Sequence, residues 1–305
     1  MSENKFEPNG VLIVNKPEGI TSHDVVGKIR KLYGTRKVGH TGTLDPLATG
    51  VLVILLGRAA KAAEYLVADT KTYHARLTLG LTTDTEDITG KVLSESNDIP
   101  STEAVASVCE RFKGKIKQIP PMYSALKVDG KKLYDLAREG IEVERKARDI
   151  EIFCLDCTST DKANEYDLLV KCSSGTYIRT LCSDIGSTLG CGGVMSVLHR
   201  IQAGGFEIEN SHTLEEIEAL TMDERYNLLA PTESLFYDLP EVKLPAFYEK
   251  LCRSGCEIYQ AKIRTLLEVS ARVRLCTQSG EFFALGEVRE YENGTAIKAI
   301  KTFIL

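Results

Sequence analysis

The sequence predicts an α+β protein. Strands and amphipathic helices are interspersed over residues 1–237, and a small β domain follows at 238–305. Three observations carry this reading. Aliphatic runs such as GVLIVNKP (10–17) and VLVILLG (51–57) have strand length and stop at proline or glycine. Between them lie helical patterns with proper ends, as in TSHDVVGKIRKLYG (21–34). After Pro231 the texture changes. Within the last region, VSARVRLCTQSGEFFALGEVREYENGTAIKAIKTFIL (269–305) reads as three short strands separated by Ser-Gly and Asn-Gly turns.

Taken in order, 10–17 is a buried strand ended by Pro17. Residues 21–34 form a helix capped by Thr21 or Ser22, with apolar residues at 25, 26, 29 and 32, basic residues on its other face and Gly34 at its end. KVGHTGTLDPLATG (37–50) is a loop feeding the strand 51–56, and AAKAAEYLVA (59–68) a helix. TYHARLTLG (72–80) alternates as a strand does and leads into a polar turn, TDTEDITG (83–90). Helices at 102–113 and 131–139 flank a Pro- and Lys-rich connection, KGKIKQIPPMYSALKVDGKK. ARDIEIFCLDC (147–157) and YDLLVKCSSGTYIR (166–179) are strands, the second ending in a Gly-Thr turn that opens a helix at 178–189. VMSVLHRIQAGGF (194–206) begins another strand, and TLEEIEAL (213–220) is an acidic helix. There is no internal repeat and no low-complexity tract.

With 43% hydrophobic and 27% charged residues, the 305-residue chain has the composition of a soluble globular protein. No apolar run approaches the ~18 residues of a membrane span, and MSENKFEPNG lacks the apolar core of a secretion signal. Nine cysteines, an odd number, suit free thiols in a reducing cytoplasm. Cys154 and Cys157 have metal-ligand spacing but supply half of a zinc site, so no metal is expected. The net charge of −5 argues against indiscriminate nucleic-acid binding. It hides an asymmetry: residues 25–58 and 113–148 each carry +5, whereas 206–251 carries −8. Two basic segments on an acidic chain read either as solvated faces or as a localised polyanion footprint.

Residues 37–61, KVGHTGTLDPLATGVLVILLGRAAK, place a single carboxylate, Asp45, in a tightly shaped loop anchored by a strand. Pro46 restricts its backbone, and Gly39, Gly42 and Gly50 allow close approach of a ligand. A carboxylate so held suits a nucleophile or general base; the plain alternative is a structural Asp-Pro turn. No G-K-[ST] follows, so this is not a Walker A loop, and no G-x-S-x-G marks a serine hydrolase. Tyr177 and Arg179 in SSGTYIRTL stand two apart on a strand-like segment and are expected to face the same way. An aromatic beside a guanidinium suits a flat polar ligand such as a base. The alternative is a core tyrosine and a surface arginine.

VNKPEGITSHDVV (14–26), the 37–61 stretch, KTYHARLTLGLTTDTEDITG (71–90), QIPPMYSALKVDGKKLYDLAREG (118–140) and SSGTYIRTLCSDIGSTLGCGG (173–193) together resemble the bacterial TruB-type tRNA pseudouridine-55 synthases. The pieces stand in that family's order over residues 10 to about 206. Eukaryotic and archaeal small-RNP relatives share the core motifs, but PPMYSALK and the compact length fit the bacterial stand-alone type. The resemblance implies a mixed sheet flanked by helices. It implies isomerisation of uridine 55 in the T loop of tRNA, by base flipping and an aspartate-dependent change from a C–N to a C–C glycosidic bond. It makes Asp45 the catalytic aspartate, His40 the residue that fills the place of the departed base, and Tyr73 the ring that stacks on the flipped uracil. Tyr177 and Arg179 become the pocket tyrosine and the arginine paired with the aspartate, Leu198 an apolar pocket residue, and Asp87 a polar residue near the flipped nucleotide. Residues 113–148 match an RNA-clamping insertion, and 238–305 resembles a PUA-like RNA-binding module. No cofactor, membrane or obligate protein partner is implied, and a cytoplasmic monomer is the default. Two competing readings remain: a non-catalytic RNA-binding or RNA-folding protein on the same scaffold, and a glycoside-type hydrolase, which wants a second carboxylate in defined separation.

Overall fold

The computed structural model describes residues 7–66, 70–124, 126–128 and 130–303. A nine-stranded sheet is the framework of residues 10–207, and its main path runs Gly10–Lys16, Thr49–Leu56, Gly193–Ala203, Lys71–Leu79, Glu165–Cys172, Arg148–Ser159, Gly114–Gln118. Val38–His40 pairs with Thr49–Leu56 and Phe206–Glu207 with Gly193–Ala203. The sheet is mixed because Gly193–Ala203 runs parallel to Thr49–Leu56, with Arg200 opposite Gly50, while the neighbouring pairs are antiparallel.

Strand Thr49–Leu56 is apolar at every position after Gly50 because both its faces are covered. Leu52, Ile54 and Leu56 join a core with Val25, Val26 and Ile29 of the helix Ser22–Leu32 and Ile178, Leu181 and Ile185 of the helix Ile178–Leu189. Val51, Val53 and Leu55 face the other way, into a second cluster with Val11, Ile13, Phe236, Phe282, Leu285 and Phe303. A five-stranded sheet, ordered Glu241–Leu244, Arg272–Thr277, Phe282–Tyr291, Gly294–Thr302, Ile258–Tyr259, supplies Phe282 and Leu285 and leads directly into Phe303. The three strands expected in that region are present, and two short ones extend the sheet at its edges.

Three local expectations need correction. The segment expected as a helix at 59–68 is a 3₁₀ helix over Gly57–Tyr65; its expected end at 67–68 lies outside the described residues. Gly57, Ala59 and Ala62 are buried, and the i, i+3 spacing of the two alanines matches three residues per turn, so the tighter helix aligns both with the apolar sheet face. The connection 113–132 contains the edge strand Gly114–Gln118 and a small hairpin pairing Lys127–Val128 with Lys131–Lys132. Alternating lysines in that edge strand hid it; one of its faces is solvated, so little hydrophobic signal was available. Tyr177 and Arg179 do not lie on a strand, which ends at Cys172. Tyr177 is the N-cap of the helix Ile178–Leu189, and Arg179 lies in its first turn.

Candidate active site

One transverse row of the large sheet, Lys16–Gly50–Arg200–Tyr73–Val170, forms the floor of the site. Only glycine fits at position 50: its φ is +101°, and an added Cβ would stand 2.2 Å from the carbonyl oxygen of Arg200. Lys16 and Arg200 are both fully buried on this row. Lys16 Nζ donates to the carbonyls of Pro17 (2.8 Å), Pro46 (3.3 Å) and Ala48 (2.6 Å), which fixes the loop on either side of Leu47. Ser22, at the start of its helix, donates to the Leu44 carbonyl (2.9 Å) and accepts from the Leu44 N–H (2.8 Å). Gly19 N–H donates to the Pro46 carbonyl at 2.8 Å. Asp45 is therefore held by backbone contacts immediately before and after it.

The Asp45 carboxylate pairs through Oδ2 with Arg179 Nε at 2.9 Å, and its side chain is 36% exposed while the arginine's is 6%. Arg179 donates from Nη1 to the Thr85 carbonyl (3.1 Å) and from Nη2 to the Tyr123 carbonyl (2.8 Å). Asp87 Oδ2 lies 3.8 Å from Nη1. Burial pushes the Asp45 carboxyl above the usual carboxylate range; Arg179 and Lys16 pull it back, and Asp87 adds to the rise. The Asp87 side chain is buried behind the arginine. Its Oδ1 accepts from Thr85 Oγ1 (2.9 Å), Thr89 N–H (2.9 Å) and Thr89 Oγ1 (2.6 Å), which fixes the carboxylate in the turn behind Arg179.

Tyr73 stands on Lys71–Leu79 and is 6% exposed; burial raises its phenol, and the positive charge of Arg200, its register partner, opposes the rise. Tyr177 is fixed by its backbone: its N–H donates to Gln118 Oε1 (2.8 Å), and its carbonyl accepts from Gln118 Nε2 (3.0 Å). Burial raises the Tyr177 phenol as well, with a smaller upward push from Asp45. His40 closes the short strand Val38–His40 opposite Ile54. Burial, followed by Arg200, disfavours its charged form, and its Nδ1 is buried with no partner among the described residues. Leu198 is buried two residues before Arg200 and opposite Ala75, in the cluster that holds Tyr73 and Leu44.

The structure thus brings Asp45, Arg179 and Asp87 together, sets Tyr73 and Tyr177 within electrostatic reach of Asp45 and His40 within reach of Arg200, and buries Leu198 in the cluster that holds Tyr73. Asp87 faces Arg179 from within the fold. Lys16, Ser22 and Gln118 fall within stretches that carry the family resemblance, but nothing local in the sequence assigns a role to them or to Arg200. Two of them had a weaker signal: Lys16 ends an aliphatic strand at a core-facing position, and Arg200 stands two after Leu198, on the same strand face. Gln118 and Tyr123 show that the start of the 113–148 insertion is part of the site wall. Cys154 and Cys157 do not act together: Cys154 Sγ donates to Asp156 Oδ2 at 3.3 Å, whereas Cys157 packs against the apolar cluster that holds Cys109. Among the described residues no group of three or more His, Cys, Asp or Glu is arranged to hold a metal ion.

A family model described as TruB family pseudouridylate synthase (N terminal domain) matches residues 30–178, and one described as tRNA pseudouridylate synthase B C-terminal domain matches 179–237. The chain is 42% identical over 296 residues to the tRNA pseudouridine synthase B of Alkaliphilus oremlandii, covering 96% of this chain and 98% of that one. It is 48% identical over 238 residues to the tRNA pseudouridine synthase B of Syntrophotalea carbinolica, with 77% of each covered. Among solved structures it superposes on a crystal structure of a Cbf5–Nop10–Gar1 complex with a TM-score of 0.76 and 26% identity, covering 97% of this chain and 85% of that one.

Proposed function

The chain belongs to the TruB family of pseudouridylate synthases, and from that premise we propose that it isomerises uridine 55 in the T loop of tRNA to pseudouridine. The reaction breaks the bond from C1′ to N1 of uracil and forms one from C1′ to C5; the C5 hydrogen leaves, N1 gains a proton, and no electrons are exchanged. The observation that carries the reading is the ion pair between Asp45, on its braced loop, and Arg179, on the helix opposite, with Tyr73 and Tyr177 within electrostatic reach of the carboxylate. Asp45 is the reactive group, and Arg179 keeps it ionised and oriented in a partly dry site.

A base inside a folded T loop reaches Asp45 only when flipped out, at a cost of roughly a few kcal/mol. Stacking on Tyr73, about 1–3 kcal/mol per base, offsets much of that. His40 takes the place the base has left, and Leu198 lines the apolar side of the pocket. Residues 113–148 clamp the RNA backbone, and 238–305 serves as a PUA-like RNA-binding module. The enzyme works as a cytoplasmic monomer, without cofactor or obligate protein partner. Among the described residues no helix is long and apolar enough to cross a membrane. The test is release of tritium from C5-labelled uridine in unmodified tRNA, with the modified position mapped afterwards. Modification at a position other than 55 refutes the site assignment, and free uracil in place of pseudouridine supports a hydrolase.

A further inference from the structure

Glu86 holds a left-handed backbone, with φ at +63°, although it carries a full side chain. That region suits glycine and asparagine; a glutamate is strained there and persists only where its surroundings over-determine it. Two elements of the synthase core do so. The Glu86 carbonyl accepts from the Met195 N–H at 3.1 Å, and the Ile88 N–H donates to the Met195 carbonyl at 3.0 Å. These bonds fasten the turn 83–90 to the strand Gly193–Ala203. The Glu86 side chain goes to the helix Ile178–Leu189, where its Oε2 accepts from the Thr180 hydroxyl at 2.5 Å. Thr180 is buried, next to Arg179 in the first turn.

That helix start has little of its own to hold it. Tyr177 makes no side-chain cap bond, and the first turn contains no acid. Arg179 moreover puts a cation where the helix dipole disfavours one. The turn 83–90 supplies what is lacking. Thr85 offers its carbonyl to Arg179 Nη1 (3.1 Å), Glu86 its carboxyl to Thr180, and Asp87 Oδ2 approaches Nη1 at 3.8 Å. The φ rotation at Glu86 sets the angle between the Thr85 carbonyl and the Glu86 side chain. Its left-handed value lets the two meet consecutive residues of the helix.

We propose that Glu86 is a positioning residue for the isomerisation: by gripping Thr180 it fixes the helix start that aims Arg179 at Asp45. This rests on the pseudouridine-synthase reading, so tritium release by the wild type is measured first. No release sinks that reading and this role with it, whereas release that the variants leave unchanged sinks this role alone. The variants are Glu86→Ala, Glu86→Gly, Glu86→Gln and Thr180→Val, followed by single-turnover rate, tRNA affinity and thermal unfolding. Glu86→Ala and Glu86→Gly both lose the carboxyl and slow turnover about tenfold or more, as displacement of a reacting group does. Glycine relieves the strain that alanine keeps, so Glu86→Gly melts above Glu86→Ala at the same reduced rate. Glu86→Gln keeps an acceptor oxygen and stays within about threefold of the wild-type rate. Affinity stays within about threefold throughout, because phosphate contacts elsewhere dominate it. Thr180→Val repeats the loss, and combined with Glu86→Ala it is no slower than the slower single variant, since both break one link. Rates that follow melting temperature across the set, losses that multiply, a glutamine variant as slow as alanine, or a loss confined to affinity overturns the proposal. Should Glu86→Ala fail to fold, Glu86→Gly and Thr180→Val decide it: a wild-type rate in either overturns the link.

Discussion

Asp45 and Arg179 form an asymmetric pair, a partly open carboxylate against an enclosed guanidinium that has other acceptors besides it. Asp45→Asn keeps the shape and removes the reactivity, so tritium release should fall by several orders of magnitude with tRNA binding retained. Because burial holds the Asp45 carboxyl above its ordinary range, the native state takes up a proton more readily than the unfolded chain does. Stability from this group is therefore fully present below the unfolded value and is lost as pH rises through the folded one. Asp45→Asn should accordingly unfold at a higher temperature than wild type at pH 7, with the gap closing in acid. A variant that melts lower at pH 7 contradicts the direction of that shift. At Arg179, a lysine has no fork with which to serve Asp45, Thr85 and Tyr123 together. Arg179→Lys should lose about 10²-fold in single-turnover rate with little change in affinity; a near-wild-type rate leaves only charge as its role.

The helix Ser22–Leu32 links element stability to the site. Thr21 closes a capping box with Asp24, and the next residue, Ser22, turns inward and binds the Leu44 backbone twice. The two adjacent hydroxyls should separate under substitution. Thr21→Ala removes an exposed cap, costs about 1 kcal/mol and leaves turnover near wild type. Ser22→Ala leaves a buried N–H and carbonyl unpaired beside Asp45, costing about 1–3 kcal/mol and slowing turnover as well. Urea titrations alongside single-turnover rates check this; equal effects on rate would show that Leu44 is held without Ser22. On the opposite wall, Gln118 reaches from the basic edge strand to both backbone groups of Tyr177. The segment that carries Lys115 and Lys117 into solvent thus also shapes the pocket.

The two sheets share one apolar layer. Val11, Ile13, Val51, Val53 and Leu55 from the synthase sheet pack with Phe236, Phe282, Leu285 and Phe303, and the Phe282 and Phe303 rings stack with centroids 5.5 Å apart. Removing 238–305 should therefore disturb the synthase core as well as RNA affinity. A chain ending at 237 exposes the outer face of the strand that anchors the Asp45 loop, and it should fail to unfold as a single cooperative transition. Phe303→Ala should cost about 3–5 kcal/mol by denaturant unfolding and lower turnover with it; independent melting of two units would disprove the shared layer. On the RNA side, Lys115→Ala with Lys146→Ala should flatten the log–log salt dependence of tRNA binding, by about one for each phosphate these lysines neutralise. An unchanged slope makes those side chains merely solvated.

Local pattern determined most elements and the reactive loop of this protein. Caps, glycine stops and aliphatic runs act over a few residues, so the strand 10–16, the helix after Thr21 and the turns at Ser279-Gly280 and Asn293-Gly294 were readable in order. Asp45 was legible as a shaped carboxylate; the roles of His40, Tyr73 and Leu198 came only through resemblance to a family. Tertiary structure alone decided what surrounds them. Lys16, Gly50, Arg200 and Tyr73 are far apart in the chain and meet because register aligns them in one row, which no local period encodes. The same holds for the approach of Asp87 to Arg179, and for the Tyr177–Arg179 segment, whose helical start is held by the Gln118 side chain arriving from a distant edge strand. Contacts of this kind gain their energy only after the sheet has formed, so their signal lies in the fold and not in the neighbouring sequence.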